Sequence, residues 1–265
     1  MKILYAIQAT GNGHLTQAND LIPVLQQKGT VDILVSGTEA DIELAYPVKY
    51  KLKGLSFTFG KRGGIDILST IKKLRLRRLL KDINSLPVEL YDLIINDFEP
   101  ISAWACRKRK IPCIRLSHQS TLLNPKTPKP KNAGVIGKIV LKYYAPTKIK
   151  YGFHFENYDI NMFTPVIRQL IRESNCSNEG HYTVYLPAYS IERITQILSQ
   201  FKQIDWQVFS KYTRKIIVHD NIMIHPIDKA AFIQSIISSD AVLCGAGFET
   251  PAESLYLKKK LLVIP

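Results

Sequence analysis

The chain has 265 residues, 46% of them hydrophobic and 22% charged, and carries a formal net charge of +14. That length holds one large or two modest domains with buried cores, and the composition excludes disordered and fibrous classes. No run nears the ~20 apolar residues of a bilayer span, and Cys106, Cys113, Cys176 and Cys244, without a CxxC pair, read as reduced cytosolic thiols, most of them core filler.

The opening MKILYAIQAT reads as a strand over Lys2–Ala9, without the apolar region and cleavage site of a signal peptide. Leu15, Ala18, Leu21, Ile22 and Leu25 share one face of a helix predicted over His14–Gln27. A strand over Val31–Ser36, a helix near Ile67–Ile83, a strand over Tyr91–Asn96, a short helix over Ser102–Lys108 and a strand over Pro112–Leu116 follow. The stretch KTPKPK, Lys126–Lys131, is an extended basic loop, and the pattern loosens over Asn157–Ser177, the expected interdomain connection. The alternation then restarts with a strand over Tyr182–Leu186, a helix over Ile191–Phe201 and a strand over Trp206–Phe209. A strand-like piece over Asn221–Ile227, a helix over Lys229–Ser238, a strand over Ala241–Cys244, a helix over Pro251–Leu257 and a strand over Leu261–Ile264 complete the chain. Short apolar strands separated by helices imply parallel sheets covered on both faces, in two α/β halves.

The charge is concentrated in the first half. Residues 1–156 hold 25 Lys/Arg against 12 Asp/Glu, and twelve basic residues but no acidic one lie between Glu99 and Glu156. Such a surface attracts nucleic acid, an anionic membrane or phosphorylated ligands, or is simply a solvated face. The basic stretches lack an aromatic-rich recognition module, so nucleic acid is not expected as a partner.

In open parallel sheets, ligands collect beyond the carboxyl ends of the strands. Gly11-Asn12-Gly13-His14, Asp97 and Ser117-His118-Gln119 occupy such ends in the first half. The GNGH loop lacks the third glycine of a dinucleotide fingerprint, which is Thr16 here, and the second strand ends in Ser36-Gly37 without a ribose-binding acid. No P-loop motif is present. What the loop offers is close backbone approach plus an imidazole near a helix start, and Asp97 can fix that imidazole's tautomer if the two strands are neighbours. Alternatively, His14 is a polar helix start and Asp97 a cap for the next helix. In the second half, Ser190 can cap a helix, and CGAGFETPAES, Cys244–Ser254, places a glycine loop before another. Thr250-Pro251-Ala252-Glu253 also has the form of a capping box.

These motifs together resemble the GT-B glycosyltransferases, in particular a bacterial and archaeal group with the pattern GxGHxTQA, DFEP, YLPAY and GAGFETPAE. Here the pattern falls at Gly11–Ala18, Asp97–Pro100, Tyr185–Tyr189 and Gly245–Glu253, across the whole chain. More distantly the chain is similar to enzymes that make peptidoglycan lipid intermediates and galactosyl diacylglycerols. The resemblance implies an α/β chain of two Rossmann-like domains, residues 1–162 on the acceptor side and 163–265 on the donor side. Chains of this group continue past the LLVIP strand, so the second domain is expected to be incomplete at the C-terminus.

The resemblance further implies that Gly11, Asn12 and Gly13 face the acceptor and the transferred sugar, with His14 as general base and Asp97 as its partner. Ser190 and the loop of Gly245, Ala246 and Gly247 would hold the donor diphosphate, Phe248 and Thr250 would belong to the same donor site, Ile224 and His225 would lie near the nucleobase, and Glu253 would bind the ribose. The implied reaction is an inverting transfer from a nucleotide-diphosphate sugar to a lipid-linked or envelope acceptor, with no metal and no cofactor. Ile67–Ile83, with Lys72, Lys73, Arg75, Arg77, Arg78 and Lys81, suits an anionic membrane surface, so the expected location is cytoplasmic, at the inner face of the membrane. A non-catalytic sugar-nucleotide binder and a sugar-nucleotide epimerase of the same fold are the alternatives.

Overall fold

The computed structural model describes residues 1–9, 12–37, 44–55, 76–129 and 134–265 (135 and 136 by backbone only). The described chain divides into two compact units, the first ending at Val166 and the second running from Ile167 to Pro265. The first unit extends past residue 162 because Met162–Phe163 pairs as its last strand.

The described residues of the first unit form a seven-stranded sheet of β1 (Lys2–Gln8), β2 (Thr30–Ser36), β3 (Tyr50–Leu52), β4 (Leu93–Asp97), β5 (Ile114–Leu116), β6 (Ile149–Phe153) and β7 (Met162–Phe163). The order is β3-β2-β1-β4-β5-β6-β7, every pair parallel. Its helices are α1 (Asn12–Gln26), α2 (Leu76–Ser85), α3 (Pro100–Arg109), α4 (His118–Leu122) and α5 (Val135–Tyr143). Strand β1 explains its own apolar run: Ile3 to Ile7 are all 0% exposed, buried from both sides. Ile3, Tyr5 and Ile7 pack with Leu15, Ala18 and Ile22 of α1, whereas Leu4 and Ala6 pack with Ile101, Ala105 and Cys106 of α3. Each leucine and isoleucine among them contributes about 1.5–3 kcal/mol on removal from water.

The first crossover leaves β1 toward β2, while the later one returns to β4 on the other side of β1. The strand order reverses there, which opens a crevice at the carboxyl ends of β1 and β4. Asp97 is in register with Ile7, so both strands end at that crevice.

The second unit repeats the plan with β8 (Tyr182–Tyr185), β9 (Trp206–Ser210), β10 (Ile217–His219), β11 (Ile222–Pro226), β12 (Ala241–Gly245) and β13 (Lys260–Ile264). The order is β10-β11-β9-β8-β12-β13, parallel except for the β10–β11 pair. Its helices are α6 (Gln169–Arg172), α7 (Ile191–Leu198), α8 (Lys229–Ser238) and α9 (Glu249–Tyr256). Val184, Val208 and Leu243 pack with Ile194 and Leu198 of α7, and Val242 and Cys244 pack with Ile233 and Ile237 of α8. The order reverses again between β8 and β12, which places Ser190 and the Gly245–Phe248 loop at a second crevice.

Several expectations need correction. Of the helix expected over Ile67–Ile83, residues 67–75 lie outside the described residues, and the described part runs on to Ser85 as α2. Of the KTPKPK loop, 130 and 131 lie outside them too. Three of the four cysteines are buried, in keeping with thiols that mostly fill core, and Cys176 is the exposed one.

Candidate active site

The site begins with how β4 ends. Phe98 turns the chain in the left-handed region (φ 54), a conformation that costs a bulky residue about 1–3 kcal/mol. Its ring packs 4.9 Å from that of Tyr144 and against Ala103, which holds the turn. The turn lets Glu99 cap α3, accepting from the backbone N–H of Ile101 at 2.8 Å and of Ser102 at 2.6 Å, with Pro100 in the first turn. The Ser36 hydroxyl also donates to Glu99, at 2.7 Å, and the Asn96 amide donates to the Glu99 carbonyl at 2.6 Å. Burial pushes the Glu99 carboxyl above its ordinary range, against those hydrogen bonds. Because Glu99 does the capping, the helix-cap alternative for Asp97 fails, and Asp97 turns to an imidazole instead.

His14, the third residue of α1, brings Nδ1 to 2.8 Å from Asp97 Oδ2. The Asp97 side chain is 1% exposed and that of His14 15%. A carboxylate accepts, so Nδ1 carries the hydrogen and the Nε2 lone pair faces away from Asp97, as a general base requires. Asp97 Oδ1 is buried without a hydrogen-bond partner among the described residues. A buried carboxylate satisfied on one side gains most when the imidazole takes up a proton. Tyr5 lies below with its phenol pushed well above the ordinary value, by burial first and by the Asp97 charge second, so it stays neutral.

The third member is Gln119, whose Nε2 lies 3.2 Å from His14 Nε2. Its neighbour His118 turns away to the Phe153 carbonyl at 3.1 Å, and burial lowers its pKa to about 3. Helix α4, which carries both, seats against β6 at Gly152. A Cβ there would come 2.6 Å from the Thr121 side chain and 2.8 Å from the Ser117 carbonyl, so glycine sets how closely α4 approaches the sheet. In the sequence Gln119 is one of the polar residues at the strand ends, and no local pattern assigns it a role. Of the GNGH loop, Asn12 and Gly13 open α1, and Gly11 lies outside the described residues.

In the second unit the expected donor residues separate. The Ser190 hydroxyl caps α7, accepting from Arg193 N–H at 3.3 Å. Ala246 N–H donates to the Ile264 carbonyl and Gly247 N–H to that of Gly245. A Cβ at Gly245 or Gly247 would point into open space, so the glycines leave the backbone approachable rather than relieve a clash. Ile224 sits in the core at 3% exposed, in a strand paired with β10 on one side and β9 on the other. The His225 ring stacks on Phe209 at 4.9 Å, and burial lowers its pKa.

The capping box does not form. Helix α9 starts from Phe248 with no side-chain cap, and Glu253 instead makes a bidentate pair with Arg168. Glu253 is 1% exposed with both carboxylate oxygens engaged, so it stands as a buried anchor rather than an open ribose ligand. Arg168, at the start of the second unit, was missed because a partner 85 residues away leaves no local signal.

Two mostly parallel Rossmann-like sheets with alternating helices are the architecture of the GT-B fold. The profile described as Glycosyl transferase family 1 matches residues 1–265, and the chain belongs to that family of glycosyltransferases. No curated protein sequence matches. Among solved structures, the chain is similar to the glycosyltransferase SnogD from Streptomyces nogalater, with TM-score 0.55 and 10% identity over 100% of this chain and 84% of that one. It is also similar to Arabidopsis thaliana UGT89C1 complexed with UDP, with TM-score 0.57 and 12% identity over 100% of this chain and 80% of that one. The S. aureus MnaA–UDP structure aligns with TM-score 0.54 and 11% identity over 99% of this chain and 78% of that one. At these identities the likeness is one of fold.

Proposed function

We propose that this glycosyltransferase moves a sugar from a nucleotide-diphosphate donor to a hydroxyl of a lipid-linked or cell-envelope acceptor, with inversion and without a metal. The observation that carries the reading is the 2.8 Å contact between His14 Nδ1 and a buried Asp97 at the switch point of the first sheet. His14 Nε2 takes the acceptor proton as the oxygen attacks the anomeric carbon, and Asp97 stabilises the imidazolium. In the second unit, the approachable loop Gly245–Phe248 and the first turn of α9, with Thr250, receive the diphosphate leaving group, and the helix dipole opposes its charge. Ser190, at the neighbouring strand end, flanks the diphosphate, and the His225–Phe209 stack lies alongside the nucleobase.

A membrane-bound acceptor fits the exposed apolar and basic side chains of two helices. Leu76 and Leu80 of α2 are each 57% exposed beside Arg77 and Lys81, and Ile139 and Tyr143 of α5 are 50% and 49% exposed beside Lys138 and Lys142. No described helix is long and apolar enough to cross a membrane.

The test is proton NMR of a panel of UDP-, GDP-, dTDP- and CDP-sugars incubated with the protein and a crude lipid acceptor fraction, with and without EDTA. Acceptor-dependent consumption of one donor, an inverted anomeric coupling in the product and indifference to EDTA are expected. Conversion of the donor without acceptor would assign an epimerase, and donor binding with no turnover would assign a binding protein.

A further inference from the structure

The His14 imidazole contacts Asp97 from β4 on one nitrogen and Gln119 from α4 on the other. With the proton on Nδ1, the Gln119 contact has one polarity: its amide N–H donates to the Nε2 lone pair. The other end of the same amide, Gln119 Oε1, is buried and has no hydrogen-bond partner among the described residues. An unmet buried acceptor costs free energy in the resting state, and a second state of the site that uses it accounts for its place there. That state is the imidazolium, whose Nε2–H needs an acceptor.

We propose that Gln119 is a positioning residue that reads the proton on His14, donating to Nε2 when the imidazole is neutral and accepting from Nε2–H, after a half-turn of its amide, when it is charged. This inference rests on the reading of His14 as base. In the forward step the acceptor O–H bond breaks and an Nε2–H bond forms, while the Nδ1 hydrogen stays on the ring, bonded to Asp97. The Gln119 carbonyl then holds the new imidazolium with a charge-assisted hydrogen bond. In the resting enzyme the amide N–H occupies the place that the acceptor hydroxyl takes, so Nε2 keeps its aim before substrate arrives.

The surrounding groups leave the amide free to act. Among the described residues, Asp97 is the charge facing Nδ1, while Tyr5 of β1 and His118 of α4 remain neutral through the neutral pH range. An amide changes no net charge when it turns, so the two states differ only by the proton on His14.

The test is 15N NMR of histidine-labelled protein, with His14 assigned from the His14→Ala spectrum, in wild type, Gln119→Leu and the shape-conserving Gln119→Glu. Wild type should show the Nδ1-protonated tautomer. Gln119→Leu should keep that tautomer and lower the His14 titration midpoint by about one pH unit. It should also lower kcat roughly tenfold, with donor KM within twofold. Gln119→Glu should raise the midpoint by about one pH unit and carry the acidic limb of the kcat profile with it. Midpoints unchanged in both folded variants would overturn the proposal. If the midpoints move but His14→Ala keeps wild-type kcat, the proton-reading role stands and the base assignment fails.

Discussion

At the scale of single residues, His14 and Asp97 lie 83 positions apart, yet both were readable as strand-end residues. What remained open was whether Asp97 served a helix or the imidazole. Glu99 answers it by taking the cap, a role that a DFEP string does not assign to one of its two acids. Asp97→Asn should therefore leave the fold intact and lower kcat roughly 10³- to 10⁴-fold through the wrong imidazole tautomer, in steady-state kinetics beside an unchanged far-UV spectrum. His118, the neighbour of Gln119, makes an opposite kind of prediction. Its pKa falls from about 6.5 unfolded to about 3 folded, so its contribution to stability is full above pH 6.5 and is lost as pH falls toward 3. Urea denaturation at pH 7 and pH 5 should show wild type losing about 2 kcal/mol more than His118→Gln. Equal losses would show that the imidazole accepts a proton in place.

At the scale of elements, the long helix α1 and the apolar strands declared themselves by period, because each buries a continuous stripe. The stretch from His118 to Phe153 did not. Helix α4 is five residues long, too short for a period, and its place is set by contact with Gly152 on β6. Gly152→Ala should push α4 outward, cost about 1–3 kcal/mol and loosen Gln119 from His14, with the stability loss read by denaturation. Helix α9 shows the reverse failure. Its capping-box spelling is present, but Glu253 is drawn to Arg168, a buried bidentate pair that outweighs an exposed local cap. Arg168→Ala strands that carboxylate at 1% exposure and should destabilise the second unit by about 3–5 kcal/mol, measured by urea denaturation.

At the scale of the molecule, charge is divided unevenly along the chain. The first half carries nearly all of the +14, and the described helices α2 and α5 display part of it next to exposed apolar side chains. Co-sedimentation with vesicles should rise with the anionic lipid fraction, fall at high salt and weaken in Leu80→Glu and Ile139→Glu. Equal partition on neutral and anionic vesicles at low salt would reduce the basic excess to a solvated face. The two-sheet plan was readable from the repeated strand–helix alternation, whereas the direction reversal between β1 and β4 was not, since strand order depends on pairings that no local pattern encodes.

The central claim is that His14 removes the acceptor proton. The most direct measurement is kcat and donor affinity of His14→Ala against wild type, on the donor that the NMR panel selects. A fall in kcat of roughly 100-fold or more with donor affinity nearly intact is expected. Wild-type turnover in the folded variant would contradict it and move the base elsewhere.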